Sequence, residues 1–184
     1  MRRTLRLHPD SLCFAATHVE VGVARPRADN LVLSYIVTGK ISDIRMPPVM
    51  APARGDELWL HTCFEAFMGT SSGAEYYEFN FAPSTQWAAY RFSDYRSGMR
   101  AAAEIGVLPI ETRSSPDCYT LQATLDLDWL SDLPRDALWR LGLSAVIEDM
   151  SGRKSYWALA HPSGKPDFHH ADGFAYEFSP AVRP

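Results

Sequence analysis

Cysteine is scarce in this chain, three of 184 residues. Cys13, Cys63 and Cys118 are odd in number and widely separated, and no two have the spacing of a zinc knuckle or a redox motif. Cys63 and Cys118 lie in apolar, strand-like runs, so both are expected as buried free thiols. Basic runs are missing too. The formal charge is −4, and the small cluster of Arg2, Arg3 and Arg6 reads as a solvated end rather than a nucleic-acid arm. Binding to a nucleic-acid backbone is therefore not expected. No apolar stretch is long enough to span a bilayer. The opening MRRTLRLHPDSL never develops the continuous apolar segment of a secretory signal before His8-Pro9-Asp10, so a cytoplasmic protein is expected. Internal repeats, low-complexity tracts and linkers are also lacking, and there is almost no helical periodicity.

What is present is apolar and aromatic. Hydrophobic residues make up 46% of the chain and aromatics 12%, spread along its length. That composition is globular, and the length suits one domain over residues 1–184. Short alternating runs rich in β-branched and aromatic residues are broken by Gly, Pro, Asp and Asn. His18 to Val23 is the first, with Val19, Val21 and Val23 on one face. Leu31 to Thr38 is the second. Pro47, Pro48 and Pro52 make Ile41 to Asp56 a long surface loop. Strands then follow at Leu58 to Met68, Tyr76 to Phe81 and Trp87 to Phe92. Ile105 to Glu111 and Tyr119 to Leu127 form a hairpin, and Asp128 to Leu133 a short helical turn. Leu138 to Glu148 is the longest alternation, with Trp139, Leu141, Leu143, Ala145 and Ile147 directed into the core. Ser155 to Ala160 and Phe174 to Phe178 complete the set. About ten strands predict an all-β fold, an antiparallel β-sandwich.

The meander from Leu58 to Phe92 holds the candidate site. Alternation puts Phe64, Ala66 and Met68 on one face of its first strand and Glu65 on the other. Tyr77, Phe79 and Phe81 likewise oppose Glu78 and Asn80. With the apolar sets in the core, Glu65, Glu78 and Asn80 share an outward face. A turn centred on Ser71-Ser72 sets Glu65 directly opposite Glu78, and Arg91 on the third strand can stand beside Glu78. Opposed carboxylates repel unless a cation or a hydrogen-bonding ligand intervenes, and the planar fork of arginine suits a carboxylate. The same residues also suit a charge-balanced outer face that only solubilises the sheet. Trp59 enters the first strand, while Trp157 and Phe168 flank the loop His161 to Asp167. A pyranose stacks its C–H face on a ring and offers hydroxyls to charged groups, so aromatic walls over Glu, Asn and Arg suit a sugar.

Three stretches carry a resemblance: Leu58-Trp59-Leu60-His61-Thr62-Cys63-Phe64-Glu65-Ala66-Phe67, Tyr76-Tyr77-Glu78-Phe79-Asn80-Phe81-Ala82-Pro83-Ser84, and Gln86-Trp87-Ala88-Ala89-Tyr90-Arg91-Phe92. Together with Ser155-Tyr156-Trp157 and Asp167 to Phe174, they resemble DOMON-like domains, in particular the branch related to family-nine carbohydrate-binding modules. The resemblance implies an antiparallel β-sandwich that clamps a terminal sugar between two aromatic rings. It would make Trp59 one wall, Glu65 the strand carboxylate and Arg91 the strand arginine. Phe168 stands near the family's second wall, a tryptophan, and stacks without donating a hydrogen bond. Other branches bind haem through Met and His. Met68, Met99, His61 and His161 are available, but no pair matches those ligand positions.

No cofactor is expected, and the predicted partner is a small molecule, a sugar foremost. Glu65 and Glu78 can also be read as a glycosidase pair, though no apolar pocket is evident to raise one pKa. No Gly-x-Ser-x-Gly elbow supports a serine hydrolase. His169 and His170 are adjacent and point apart in an extended chain, so they read as a polar surface loop rather than metal ligands. A protein-recognising scaffold is the further alternative.

Overall fold

Residues that alternate apolar and polar cannot bury one face as a helix but can as a strand. The computed structural model, which describes residues 1–134 and 136–179, is built from twelve strands joined by turns and four short 3-10 segments. They are β1 (Arg2–Leu7), β2 (Ala16–Arg27), β3 (Asn30–Gly39), β4 (Cys63–Thr70), β5 (Tyr76–Phe81), β6 (Trp87–Phe92), β7 (Arg100–Ala101), β8 (Ile110–Ser114), β9 (Cys118–Asp126), β10 (Trp139–Glu148), β11 (Lys154–Ala158) and β12 (Tyr176–Phe178). The order is β7-β6-β5-β4-β10-β11-β1-β2-β3-β9-β8, and β12 lies against the start of β10. Neighbouring strands are antiparallel throughout.

Strand β1 joins the two leaves of the sandwich. Arg2 to Leu5 pair with β2, whereas Arg6 and Leu7 pair with β11. Its charged sequence hides this role, because Leu5 is the one residue of the strand that is fully buried. The two leaves meet through their apolar faces. Val19, Val21 and Val23 of β2 and Leu31, Leu33, Tyr35 and Val37 of β3 face Phe64, Ala66 and Met68 of β4. The rings of Tyr35 and Phe64 lie 5.1 Å apart, and the Tyr35 hydroxyl donates to the Glu65 carbonyl at 2.6 Å. Alternation in β10 buries Trp139, Leu141, Leu143, Ala145 and Ile147, as the sequence predicts. Cys63 is buried, Cys118 only partly so, and all three cysteines are free thiols.

Two predicted boundaries shift for a local reason. Pro109 has no N–H, so the ladder of β8 starts at Ile110 rather than Ile105, and Leu108 is buried from irregular chain. The segment after Leu60 becomes β4 only from Cys63, since Leu58–Leu60 forms a 3-10 turn entered through a left-handed Glu57. That turn projects Trp59 away from the ladder.

Gly39 ends β3 at an irregularity in its pairing with β2, with φ of 154°. A β-carbon there would overlap the Ala15 carbonyl. Gly39→Ala is expected to lower stability by about 3 kcal/mol, from backbone strain and steric overlap combined. Chemical denaturation checks this; a loss below about 1 kcal/mol contradicts it.

Candidate cleft over the outer face of one leaf

The turn between β4 and β5 decides how the acids meet. Gly69 pairs with Tyr76, so the turn is centred one residue beyond Ser71-Ser72, and Thr70 Oγ1 accepts from the Gly73 N–H at 3.0 Å. Each partner therefore moves by two positions. Glu65 lies opposite Asn80, and Glu78 lies opposite Phe67. The two glutamates are diagonal neighbours on one face, not directly opposed. They are also buried, 3% and 5% exposed, because loops cover a surface that alternation presents as outward. Phe67, Tyr76, Tyr90, Phe92 and Phe174 make a second apolar cluster there, with Trp59 and Phe168 packed against it.

A cleft of about 400 Å³ remains between these coverings. Glu65 and Glu78 are in its floor, Trp59 and Leu60 come from the 3-10 turn, and Phe168 and His169 come from the loop before β12. Val146 of β10 and Lys154 and Tyr156 of β11 extend the lining, and Arg96 and Met99 enter from the loop after β6. Trp59 meets the edge of Tyr90 with centroids 5.8 Å apart, and Phe168 tilts on Tyr156 at 6.1 Å.

Four of the predicted residues thus converge: Trp59, Glu65, Glu78 and Phe168. Asn80 sits behind them, fully buried, and its amide donates to Glu78 Oε1 at 2.8 Å. It positions an acid and does not line the cleft.

Arg91 and Trp157 are elsewhere. Arg91 pairs in register with Tyr77, so it shares the face of Trp87 and Ala89, which is the core face. Its guanidinium emerges at the rim, bound to Glu75 at 2.6 Å and to Asp132. Trp157 lies opposite Ala145 and is buried in the main core, its indole N–H donating to Ser155 Oγ at 3.1 Å. One position earlier, Tyr156 takes the cleft side.

The guanidinium in the cleft is Arg96. It binds Asp167 at 2.8 Å, tying the loop after β6 to the loop that carries Phe168. His169 was expected on a polar surface loop but is packed against Phe67 and Phe92, each 5.1 Å away. The Tyr76 hydroxyl accepts from the Arg96 N–H at 3.2 Å and lies 2.8 Å from His169 Nδ1. Tyr76 donating to Nδ1 leaves the ring proton on Nε2, which stands 3.8 Å from Glu78 Oε2. Burial first, then the Arg96 charge, pushes the His169 pKa down to about 4. The imidazole is neutral near pH 7, so its approach to Glu78 is not an ion pair.

Burial raises the pKa of Glu65 well above the usual carboxylate range, and the Glu78 charge adds to the rise. Ser144, directly across on β10, and Arg96 oppose it. Glu78 is raised by burial as well, with Asn80 and Arg96 tempering the effect. Low-dielectric surroundings disfavour the charged form, which is the common cause.

Among the described residues, no three His, Cys, Asp or Glu side chains are grouped to hold a metal ion, and no helix is long and apolar enough to cross a membrane. Of the candidate haem ligands, Met68 is sealed in the core, Met99 lines the cleft, His61 Nδ1 lies 2.7 Å from Glu148 Oε2, and His161 Nε2 lies 2.8 Å from the Arg6 carbonyl.

No protein-family profile matches the chain, and no curated protein does. Among solved structures it is similar to a candidate carbohydrate-binding protein from Bacteroides uniformis ATCC 8492, with a TM-score of 0.70 and 13% sequence identity. The match covers 95% of this chain and 83% of the other. At that identity the likeness is one of fold. The chain is an antiparallel β-sandwich of the kind seen in that protein.

Proposed function

We propose that this protein is a non-catalytic binding module whose guest, a carbohydrate or related small metabolite, occupies the cleft above Glu65 and Glu78. One observation carries the reading. Rings from two separate segments, Trp59 and Phe168, line the same cleft as two buried carboxyls. Stacking walls and hydroxyl-binding acids are the two things a pyranose needs. The fold shared with a candidate carbohydrate-binding protein supports it, as does the resemblance to DOMON-like domains of the family-nine branch. Arg96 takes the part that the resemblance assigned to Arg91. Glu65 and Glu78 lie side by side in the floor rather than on either side of a guest, which favours binding over glycoside hydrolysis.

Intrinsic tryptophan fluorescence, titrated with neutral and amino mono- and disaccharides, tests this. A sugar in the panel is expected to shift the emission. Trp59→Ala is expected to weaken that sugar's binding by about tenfold, the scale of one lost ring contact. A parent protein silent to the whole panel ends the proposal.

A further inference from the structure

Glu65 and Glu78 sit as diagonal neighbours, and Arg96, which is shared with Asp167, offsets their charge only in part. Buried carboxylates need a positive partner or a proton. Arg96 is the basic group whose charge reaches both acids, and it is already held by Asp167. His169 is neutral near pH 7. Asn80 donates a hydrogen bond to Glu78 without charge, and the Ser144 hydroxyl across from Glu65 is likewise neutral. Cys63, Tyr35, Tyr76 and Tyr90 also sense these acids and bring no positive charge. Lys154 also lines the cleft, and in the ladder it lies across from another buried acid, Glu148.

The walls point the same way. Trp59, Tyr156 and Phe168 put three aromatic rings around the acids. A ring face carries negative potential and attracts an organic cation, more strongly where water is displaced. Acids in the floor and rings in the walls are complementary to a guest with an ammonium on an apolar frame. A neutral sugar uses the rings and leaves the charge problem unsolved.

We infer that the cleft selects a monosaccharide bearing a free ammonium group, its ring against Trp59 and Phe168 and its nitrogen on Glu65 and Glu78. This rests on the carbohydrate reading and narrows it to amino sugars. The ammonium stabilises the ionised carboxyls, so protons held by the acids leave when the guest enters. Acetylating the amine removes the charge and keeps the ring, which makes the acetylated sugar the control.

Isothermal titration of the intact chain with glucosamine, N-acetylglucosamine and glucose tests this, at a pH where the free amine is charged. Glucosamine is expected to bind at least about tenfold more tightly than either neutral sugar, the scale of a charge-assisted contact. Its binding heat is expected to change with the ionisation enthalpy of the buffer, reporting proton release. Glu65→Gln and Glu78→Gln are each expected to bring glucosamine to within about twofold of glucose, as the paired charge is lost. The proton-release measurement uses the unaltered protein, so a variant that fails to fold leaves the test intact. Glucose or N-acetylglucosamine binding as tightly as glucosamine overturns the inference and leaves the carbohydrate reading standing. Silence towards all three, and towards the wider panel, overturns both.

Discussion

Truncating Trp157 to alanine lowers the unfolding free energy by about 3–5 kcal/mol, whereas the same change at Trp59 removes about 1 kcal/mol. Trp157 is 5% exposed and fills the core opposite Ala145, a residue too small to move into the vacated space. Its loss removes apolar burial and leaves a cavity, two terms that add. Trp59 projects from a 3-10 turn over the second cluster and is only partly buried. Water can occupy the space it leaves. Thermal unfolding should place the Trp157 variant about 10 °C below the parent, from the entropy of unfolding of a chain this size. Equal losses at the two sites would mean that the face assignment of β11 is wrong.

Raising the pH destabilises the protein relative to its Glu65→Gln variant, and the gap widens with pH. The sign follows from proton binding. An unfolded glutamate titrates near 4.5, while folded Glu65 holds its proton well above that value. Between the two values the folded chain binds more protons than the unfolded one, so stability falls as pH rises. Stability from this group is fully present below the unfolded pKa and is lost as pH climbs through the folded one. Each such group contributes a slope of about 1.4 kcal/mol per pH unit within its window. His169 acts oppositely, because its folded pKa of about 4 lies below the ordinary 6.5. It withdraws stability as pH falls from 6.5 towards 4 and is silent above that window. Denaturant melts of parent and Glu65→Gln from pH 5 to pH 8 separate the two, since His169 is common to both proteins. A constant or narrowing gap refutes the buried-acid description.

How much the sequence discloses differs sharply between residues. Pattern alone assigns Trp139 and its partners along β10 to the core, where the structure has them, because ten alternating residues over one buried face leave a single consistent choice. Alternation puts Arg91 on the strand face of Trp87 and Ala89, yet its guanidinium does not stand beside Glu78 as expected. Nothing in the triplet says that this face is the core face and that Arg91 merely exits at its rim. Trp157 and Tyr156 are adjacent aromatics of similar character, and an inversion of one residue exchanges wall for core. The Glu65–Glu78 register differs by two because the turn centre differs by one, which the five residues between β4 and β5 do not specify.

Local chemistry was enough for the longer alternating strands, their apolar faces and the sandwich, because each depends on neighbours along the chain and on the burial of one face; charged β1 and two-residue β7 carry no such pattern. The cleft needed the whole fold. Arg96, Tyr156, Phe168 and His169 reach Glu65 and Glu78 from segments distant in sequence. Their meeting is governed by loop docking over a strand face that pattern alone would leave in water.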